Sequence, residues 1–138
     1  MRILSIDFGE KRIGLAISDP LGITAQGLES YSREGGDRDF AYFRNLCEKE
    51  QIVKCVVGLP LCMNGQIGYK AREVLEWVSQ LQTKLSCPVQ TWDERLTTRE
   101  ATRLMIQQGL SRKKQKAKND QLAAILILQN YLDAHRTS

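Results

Sequence analysis

Two short apolar segments at the start of the chain constrain the fold most. Residues 2–6 and 13–18 are both rich in β-type residues, and only the sequence DFGEKR separates them. In the second segment the large side chains of Ile13, Leu15 and Ile17 alternate with small ones, which is the two-residue period of a strand. The short polar connection predicts that these two strands pair antiparallel as a hairpin.

The next part of the chain alternates strand-type and helix-type segments. The composition predicts a weaker third strand at 24–31, a Gly-rich loop at 32–37, a helix around 40–47, a strand at 52–57, a long amphipathic helix at 71–85 and a strand at 88–92. Strands separated by helices pair parallel through helical crossovers. The fold class predicted is therefore α/β, with a mixed five-stranded sheet, an N-terminal antiparallel hairpin and flanking helices.

The C-terminal part is predicted to be helical on both sides of a basic loop. Residues 97–100 have the spacing of a capping box, which opens a helix that Gly109 should end. A last amphipathic helix is expected to start near Asn119. Between the two helices lies a basic cluster without acidic residues, which we expect to form a loop that binds phosphates: Arg112, Lys113, Lys114, Lys116 and Lys118.

Size and composition limit the class of protein. A chain of 138 residues fits one ordinary domain, so residues 1–138 are predicted to form a single domain. No apolar run approaches the roughly 20 residues that span a bilayer, and the N-terminus does not look like a signal peptide. We therefore expect a cytoplasmic protein. The four cysteines match no zinc-binding spacing and are expected to be reduced and mostly buried.

Acidic residues fall where an α/β sheet usually binds its ligands. Asp7 ends the first predicted strand, and Asp93 and Glu94 end the strand at 88–92. Asp120 would lie in the first turn of the last helix. Carboxylates that converge in this way repel one another unless a cation lies between them, and oxygen ligands favour Mg²⁺ or Mn²⁺. The residues alone thus indicate a metal-dependent nuclease or phosphotransferase.

Four segments carry a family resemblance that extends in order over essentially the whole chain. They are DFGEKRIGLAISD at 7–19, GLPLCMNG at 58–65, DERLTT at 93–98 and DQLAA at 120–124. Together they resemble the bacterial YqgF/RuvX family, which is similar to the RuvC Holliday junction resolvases and has an RNase H-like fold. Members of that family are described as pre-16S rRNA nucleases. The resemblance therefore implies a nuclease of ribosome biogenesis, acting in 5′-end maturation of pre-16S rRNA.

The resemblance also implies which residues act. Carried over position by position, it makes Asp7, Glu94 and Asp120 the catalytic metal ligands, with Mg²⁺ or Mn²⁺ as cofactor. Because neighbours in a strand point to opposite faces, only one of Asp93 and Glu94 is expected to face the site, and we favour Glu94. The residues expected to contact structured nucleic acid are Lys11, Arg12, Asn64 and Arg95, together with the basic cluster.

Several alternatives stay open at this stage. The substrate is expected to be precursor rRNA, with branched DNA and Holliday junction resolution as the alternative, and the active form is either a monomer or a homodimer. A non-catalytic RNA-binding or transcription factor is a rival function. An Asp-x-Gly turn also resembles the first phosphate loop of actin-like and sugar kinases, but those proteins need two such domains to hold ATP.

Overall fold

The structure, a computed structural model, describes residues 2–94 and 112–135. These residues form five strands and three helices in the order β1 (Arg2–Asp7), β2 (Arg12–Ser18), β3 (Ala25–Ser32), α1 (Gly36–Lys49), β4 (Ile52–Leu59), α2 (Tyr69–Lys84), β5 (Val89–Asp93) and α3 (Arg112–Ala134). None of the helices among the described residues is long and apolar enough to cross a membrane.

The strands form one mixed sheet in the order β3-β2-β1-β4-β5. β1 pairs antiparallel with β2, as does β2 with β3, whereas β1 pairs parallel with β4 and β4 with β5. The prediction of an antiparallel hairpin followed by parallel strands is confirmed. The weak third strand is confirmed too, and α1 begins at Gly36, inside the segment expected to be a loop.

Helices cover both faces of the sheet. On one face α1 and α2 pack against the sheet around Phe43, Trp77 and Leu81, which are buried. On the other face α3 packs against the sheet through Ala124, Ile127 and Leu128. Burial of these large apolar side chains removes them from water, and this is the main source of the fold's stability.

The prediction for the basic cluster was wrong about its secondary structure. Residues 112–118 form the first turns of α3 instead of a loop, so the helix begins at Arg112 and not near Asn119. The segment is composed of Arg, Lys, Gln and Ala, which are strong helix formers, and contains no Gly or Pro. As a consequence, Asp120 lies more than two turns inside the helix and not in its first turn.

The predicted helix from 97 to Gly109 lies outside the described residues, as does Arg95.

Candidate metal centre

The predicted ligands from β1 and β5 lie at one edge of the sheet. Asp7 is the last residue of β1, and β4 lies between β1 and β5. Leu59 at the end of β4 pairs with Asp93, and the backbone N–H of Glu94 donates to the carbonyl oxygen of Leu59 over 3.3 Å. The three neighbouring strands therefore end together, because their parallel register aligns their carboxyl ends.

Glu94 turns its carboxyl group inward, over β4. A Cβ atom built on Gly58 would overlap Oε2 of Glu94 and would lie 2.5 Å from Cδ1 of Ile127 in α3. The carboxyl group is thus placed between the sheet and α3, where only a glycine in β4 leaves room for it. This contact also shows that Gly58 has a packing function.

The two acids Glu94 and Asp7 are hydrogen-bonded to each other. Burial raises the pKa of Glu94 above its ordinary value of 4.5, the hydrogen bond with Asp7 lowers it, and repulsion from Asp93 raises it again. A hydrogen bond between two carboxyl groups requires a proton on one of them. A cation between the groups would satisfy both negative charges in place of that proton.

Asp93 differs from its neighbour. It is exposed, whereas Glu94 is partly buried and in contact with Asp7. The alternation of strand side chains gave the expectation that only one of the two faces the site. In the structure Glu94 contacts Asp7.

The backbone of α3 runs toward the same edge of the sheet. The hydroxyl of Ser5 in β1 donates to the carbonyl oxygen of Ala124 over 2.6 Å. Gln129 contacts the start of β3 through Ala25, and Gln121 contacts its middle through Leu28. Because Leu28 pairs with Leu15, which pairs with Ile6, the helix approaches the Asp7 end of β1 as it is followed back toward its N-terminus.

Arg33 supports the turn that follows Asp7. Its guanidinium donates to the carbonyl oxygens of Gly9 and Glu10 over 3.3 and 3.4 Å, and it lies over the Phe8 ring at 4.8 Å from the centroid. Its Nε donates to Asp39 in α1 over 3.2 Å. The turn beside the candidate metal ligand is therefore connected to α1 through one arginine, which no sequence motif marks.

Asp39 is the buried anchor of this connection, with a side chain that is 1% exposed. It accepts hydrogen bonds from the Tyr31 hydroxyl at 2.7 Å and from the backbone N–H groups of Glu34 and Gly35. Burial would raise the pKa of Asp39, but these hydrogen bonds and the one from Arg33 lower it below its ordinary value. Burial and the Asp39 carboxylate raise the pKa of Tyr31 to about 12.

A cleft of about 340 Å³ opens beside Glu94. It is lined by Phe8, Gly9, Glu10, Pro60, Lys70, Glu73, Val74 and Glu94. Lys70 comes from the first turn of α2, and it brings an exposed positive charge to a cleft that otherwise contains acids and apolar groups. No sequence motif marks this lysine, because its place beside the acids depends on how α2 crosses the sheet.

The residues predicted to bind nucleic acid have different surroundings. Lys11, in the β1–β2 connection, and Arg12, the first residue of β2, are both exposed. Asn64 is also exposed, but its Oδ1 accepts a hydrogen bond from the backbone N–H of Gln66 over 3.0 Å, so this oxygen stabilises a local turn. The basic cluster lies along the first turns of α3. None of these geometries tests binding, and the roles stay predictions.

One family profile and several relatives match this chain over almost its whole length. A family profile described as "RuvX: Holliday junction resolvase" matches residues 1–134. A protein of Syntrophomonas wolfei is 50% identical over 133 residues, covering 96% of this chain and 94% of the relative. A protein of Clostridium acetobutylicum is 46% identical over 134 residues, covering 97% and 99%. Both relatives carry the name "Putative pre-16S rRNA nuclease".

Solved structures with the same fold are more distant in sequence. Thermus thermophilus RuvC in complex with a Holliday junction substrate superposes with a TM-score of 0.61 at 17% identity, covering 97% of this chain and 95% of that one. The fowlpox virus Holliday junction resolvase also gives 0.61, at 13% identity, covering 97% and 99%. At these identities the comparison shows the fold alone, which is the RuvC-like, RNase H-like fold expected from the sequence.

Proposed function

The chain belongs to the RuvX family, and on this basis we propose that it is a divalent-metal-dependent nuclease that hydrolyses phosphodiester bonds in precursor 16S rRNA. The observation that carries the proposal is the hydrogen-bonded pair of Asp7 and Glu94, with Glu94 turned inward over Gly58. Two ionised carboxylates at the end of a sheet repel each other, and a cation bound between them would explain their juxtaposition.

The donor set fits Mg²⁺ or Mn²⁺. Asp7 and Glu94 offer only carboxylate oxygens, which are the ligands of hard divalent ions. When bound, such ions stabilise the negative charge that develops on the reacting phosphate and on the leaving oxygen. Asp7 and Glu94 would hold the ion, and the burial of Glu94 would keep bulk water from competing for it.

Asp120 is proposed as the third ligand. The support is positional: Asp120 precedes Ala124 by about 6 Å of helix, and Asp7 follows Ser5 by about 6.6 Å of strand. Since Ser5 contacts Ala124 and the helix runs toward the Asp7 end of β1, both segments extend from that contact in the same direction.

The chain's basic residues would bind and orient the substrate. Lys11 and Arg12 are exposed and follow Asp7 by four and five residues, and Lys70 lines the cleft that Glu94 also lines. Together with Arg95, Asn64 and the basic cluster, they would contact phosphates and contribute affinity without sequence preference. Selectivity for precursor rRNA would then depend on RNA shape. We further propose a cytoplasmic location, where precursor rRNA would be processed, and either a monomer or a homodimer as the active form.

The test is a cleavage assay with two substrates. Purified full-length protein is incubated with labelled precursor 16S rRNA and, separately, with a four-way DNA junction, in the presence of Mg²⁺, Mn²⁺ or a chelator. We expect metal-dependent cutting of the RNA that Asp7→Asn abolishes. The matched control is Asp37→Asn, which removes an exposed carboxylate in the first turn of α1 and should leave cutting unchanged.

The other outcomes separate the alternatives. Cutting of the junction alone would assign the protein to Holliday junction resolution. RNA binding that persists in the chelator, with no cutting of either substrate, would contradict the nuclease proposal and favour a non-catalytic RNA-binding protein.

A further inference from the structure

Three cysteines that are distant in sequence meet in the core between α1, β4 and the segment before β5. Sγ of Cys55 lies 3.8 Å from Sγ of Cys47 and 3.9 Å from Sγ of Cys87. All three sulfurs lie within 4.8 Å of one another, and all three residues are buried. The sequence spacing gave no sign of this cluster, because it is formed by packing of α1 and the sheet.

The distances suit a metal ion bound by thiolates. A metal with sulfur ligands at about 2.3 Å has neighbouring sulfurs about 4 Å apart, and the two shortest separations here are close to that value. A disulfide would require a sulfur separation of about 2.05 Å, and the cysteines are free thiols in the structure.

The surroundings select the kind of ion. The cluster belongs to the apolar core that includes Ile52, Leu81 and Leu85. Among the described residues, no fourth His, Cys, Asp or Glu joins the three thiols. Hard ions such as Mg²⁺ need oxygen ligands, and structural Zn²⁺ sites have four protein ligands, whereas Cu⁺ is selected by soft sulfur ligands alone.

We propose that Cys47, Cys55 and Cys87 form a three-sulfur binding site for one Cu⁺ ion. On binding, three sulfur–copper bonds would form, the thiol protons would pass to solvent, and no oxidation or reduction would take place. Cys55 is fully buried, whereas Cys47 and Cys87 are 8% and 9% exposed, so the ion would enter past the latter two.

This site is separate from the candidate nuclease centre. Cys55 precedes Leu59 by about 13 Å of strand, and Leu59 marks the sheet edge where Glu94 lies. The cysteines also belong to the α1–α2 face of the sheet, whereas Glu94 lies between β4 and Ile127 of α3 on the other face. Bound Cu⁺ would therefore connect α1 to the sheet and stabilise the fold without entering the cleavage reaction.

The first experiment is an anaerobic titration of the reduced full-length protein with Cu⁺ in competition with a chromophoric Cu⁺ chelator. We expect one equivalent to bind, and Cys55→Ser to bind Cu⁺ at least about 100-fold more weakly. Loss of a residue that only hydrogen-bonds to a metal ligand already lowers metal affinity by about 10–100-fold. Cys62 is exposed and lies outside the cluster, so Cys62→Ser is the matched control and should bind as the unmodified chain does.

A second measurement avoids variants that fail to fold. The unmodified protein is treated with an alkylating reagent with and without Cu⁺, and the modified cysteines are identified by mass spectrometry. Cu⁺ should slow the alkylation of Cys47 and Cys87 and leave that of Cys62 unchanged. The proposal is overturned if the protein fails to compete for Cu⁺, if Cys62→Ser weakens binding as much as Cys55→Ser, or if Cu⁺ leaves Cys47 and Cys87 unprotected.

Discussion

The carboxyl group of Glu94 occupies the space that a side chain on Gly58 would fill. A Cβ atom at Gly58 would overlap Oε2 of Glu94 and also crowd Cδ1 of Ile127. The glycine in β4 therefore allows an acid from the end of β5 to lie flat against the sheet, where it reaches Asp7. This relationship links the packing of the sheet to the proposed metal centre.

Gly58→Ala should therefore impair the metal centre and the fold together. The added methyl group displaces Glu94 from Asp7. We therefore expect weaker Mn²⁺ binding and at least a tenfold loss of cleavage. A tenfold change corresponds to about 1.4 kcal/mol of free energy. Overpacking against Ile127 should lower the free energy of unfolding by about 1–3 kcal/mol. Calorimetric Mn²⁺ titration and urea unfolding measure the two effects.

Gly27→Ala is the control for Gly58→Ala. Gly27 lies in β3, where a Cβ atom would be 3.1 Å from Cδ1 of Ile125 and 3.2 Å from the Gln121 side chain in the same helix α3. This variant should strain the contact between the sheet and α3 without moving Glu94. If both variants lose Mn²⁺ binding equally, the effect comes from α3 packing and not from the displaced carboxylate.

The position of the Glu94 carboxyl group could be predicted only in part from the sequence. The hairpin and the place of Asp7 at the end of β1 follow from local alternation and turn residues, so they were predictable. The inward turn of Glu94 depends on Gly58, which is distant in the chain. The same holds for Arg33, whose contacts with Gly9 and Asp39 form only after β3 and α1 pack.

The wrong prediction of a loop at the basic cluster had a different cause. The basic cluster was expected to be a loop between two helices, but the intrinsic helix propensity of Arg, Lys and Gln determined its conformation. The cysteine cluster was not predictable from spacing, because Cys47 and Cys87 meet Cys55 only through tertiary packing.

The two neighbouring acids at the end of β5 should have unequal roles. Glu94 contacts Asp7, whereas Asp93 is exposed. We expect Glu94→Gln to weaken Mn²⁺ binding by at least about 100-fold, because it replaces a direct ligand. Changing a residue that only hydrogen-bonds to a ligand already lowers metal affinity by about 10–100-fold. Asp93→Asn should change it by less than about fivefold, because salt screens the effect of the exposed Asp93 charge on the site. Calorimetric titration of both variants measures this, and a larger loss in Asp93→Asn would contradict the ligand assignment.

Asp39→Asn should destabilise the fold in a pH-dependent way. Asp39 is buried and Arg33 is partly exposed, so losing the carboxylate charge should cost about 1.5–3 kcal/mol, the usual contribution of hydrogen bonds to a charged group. The pKa of Asp39 is lowered in the folded state, so its stabilisation is present above the ordinary pKa of 3.8 and is lost as the pH falls through the folded value. Urea unfolding should therefore show that the variant has a lower free energy of unfolding than the unmodified chain near neutral pH. This difference should shrink below about pH 4.

The control for Asp39→Asn is Asp37→Asn in the same helix turn. Asp37 is exposed and interacts mainly with the helix dipole, so its loss should cost no more than about 1 kcal/mol. If Asp39→Asn loses the same stability at every pH, the ion pair with Arg33 is not the cause of that loss.

The basic cluster at the start of α3 should determine the salt dependence of RNA binding. Each lysine that neutralises a phosphate releases counterions, so its removal should reduce the slope of log K against log salt by about 0.7–0.9. We expect this reduction for Lys113→Gln, measured by fluorescence anisotropy with precursor rRNA in the presence of a chelator to prevent cutting. Lys49→Gln is the control, since Lys49 lines a separate cleft with Arg2, Pro20, Glu50 and Gln51, away from Glu94. If the two variants give equal slopes, the basic cluster does not contact the phosphates, and the affinity must come from the residues beside Asp7 and in the cleft.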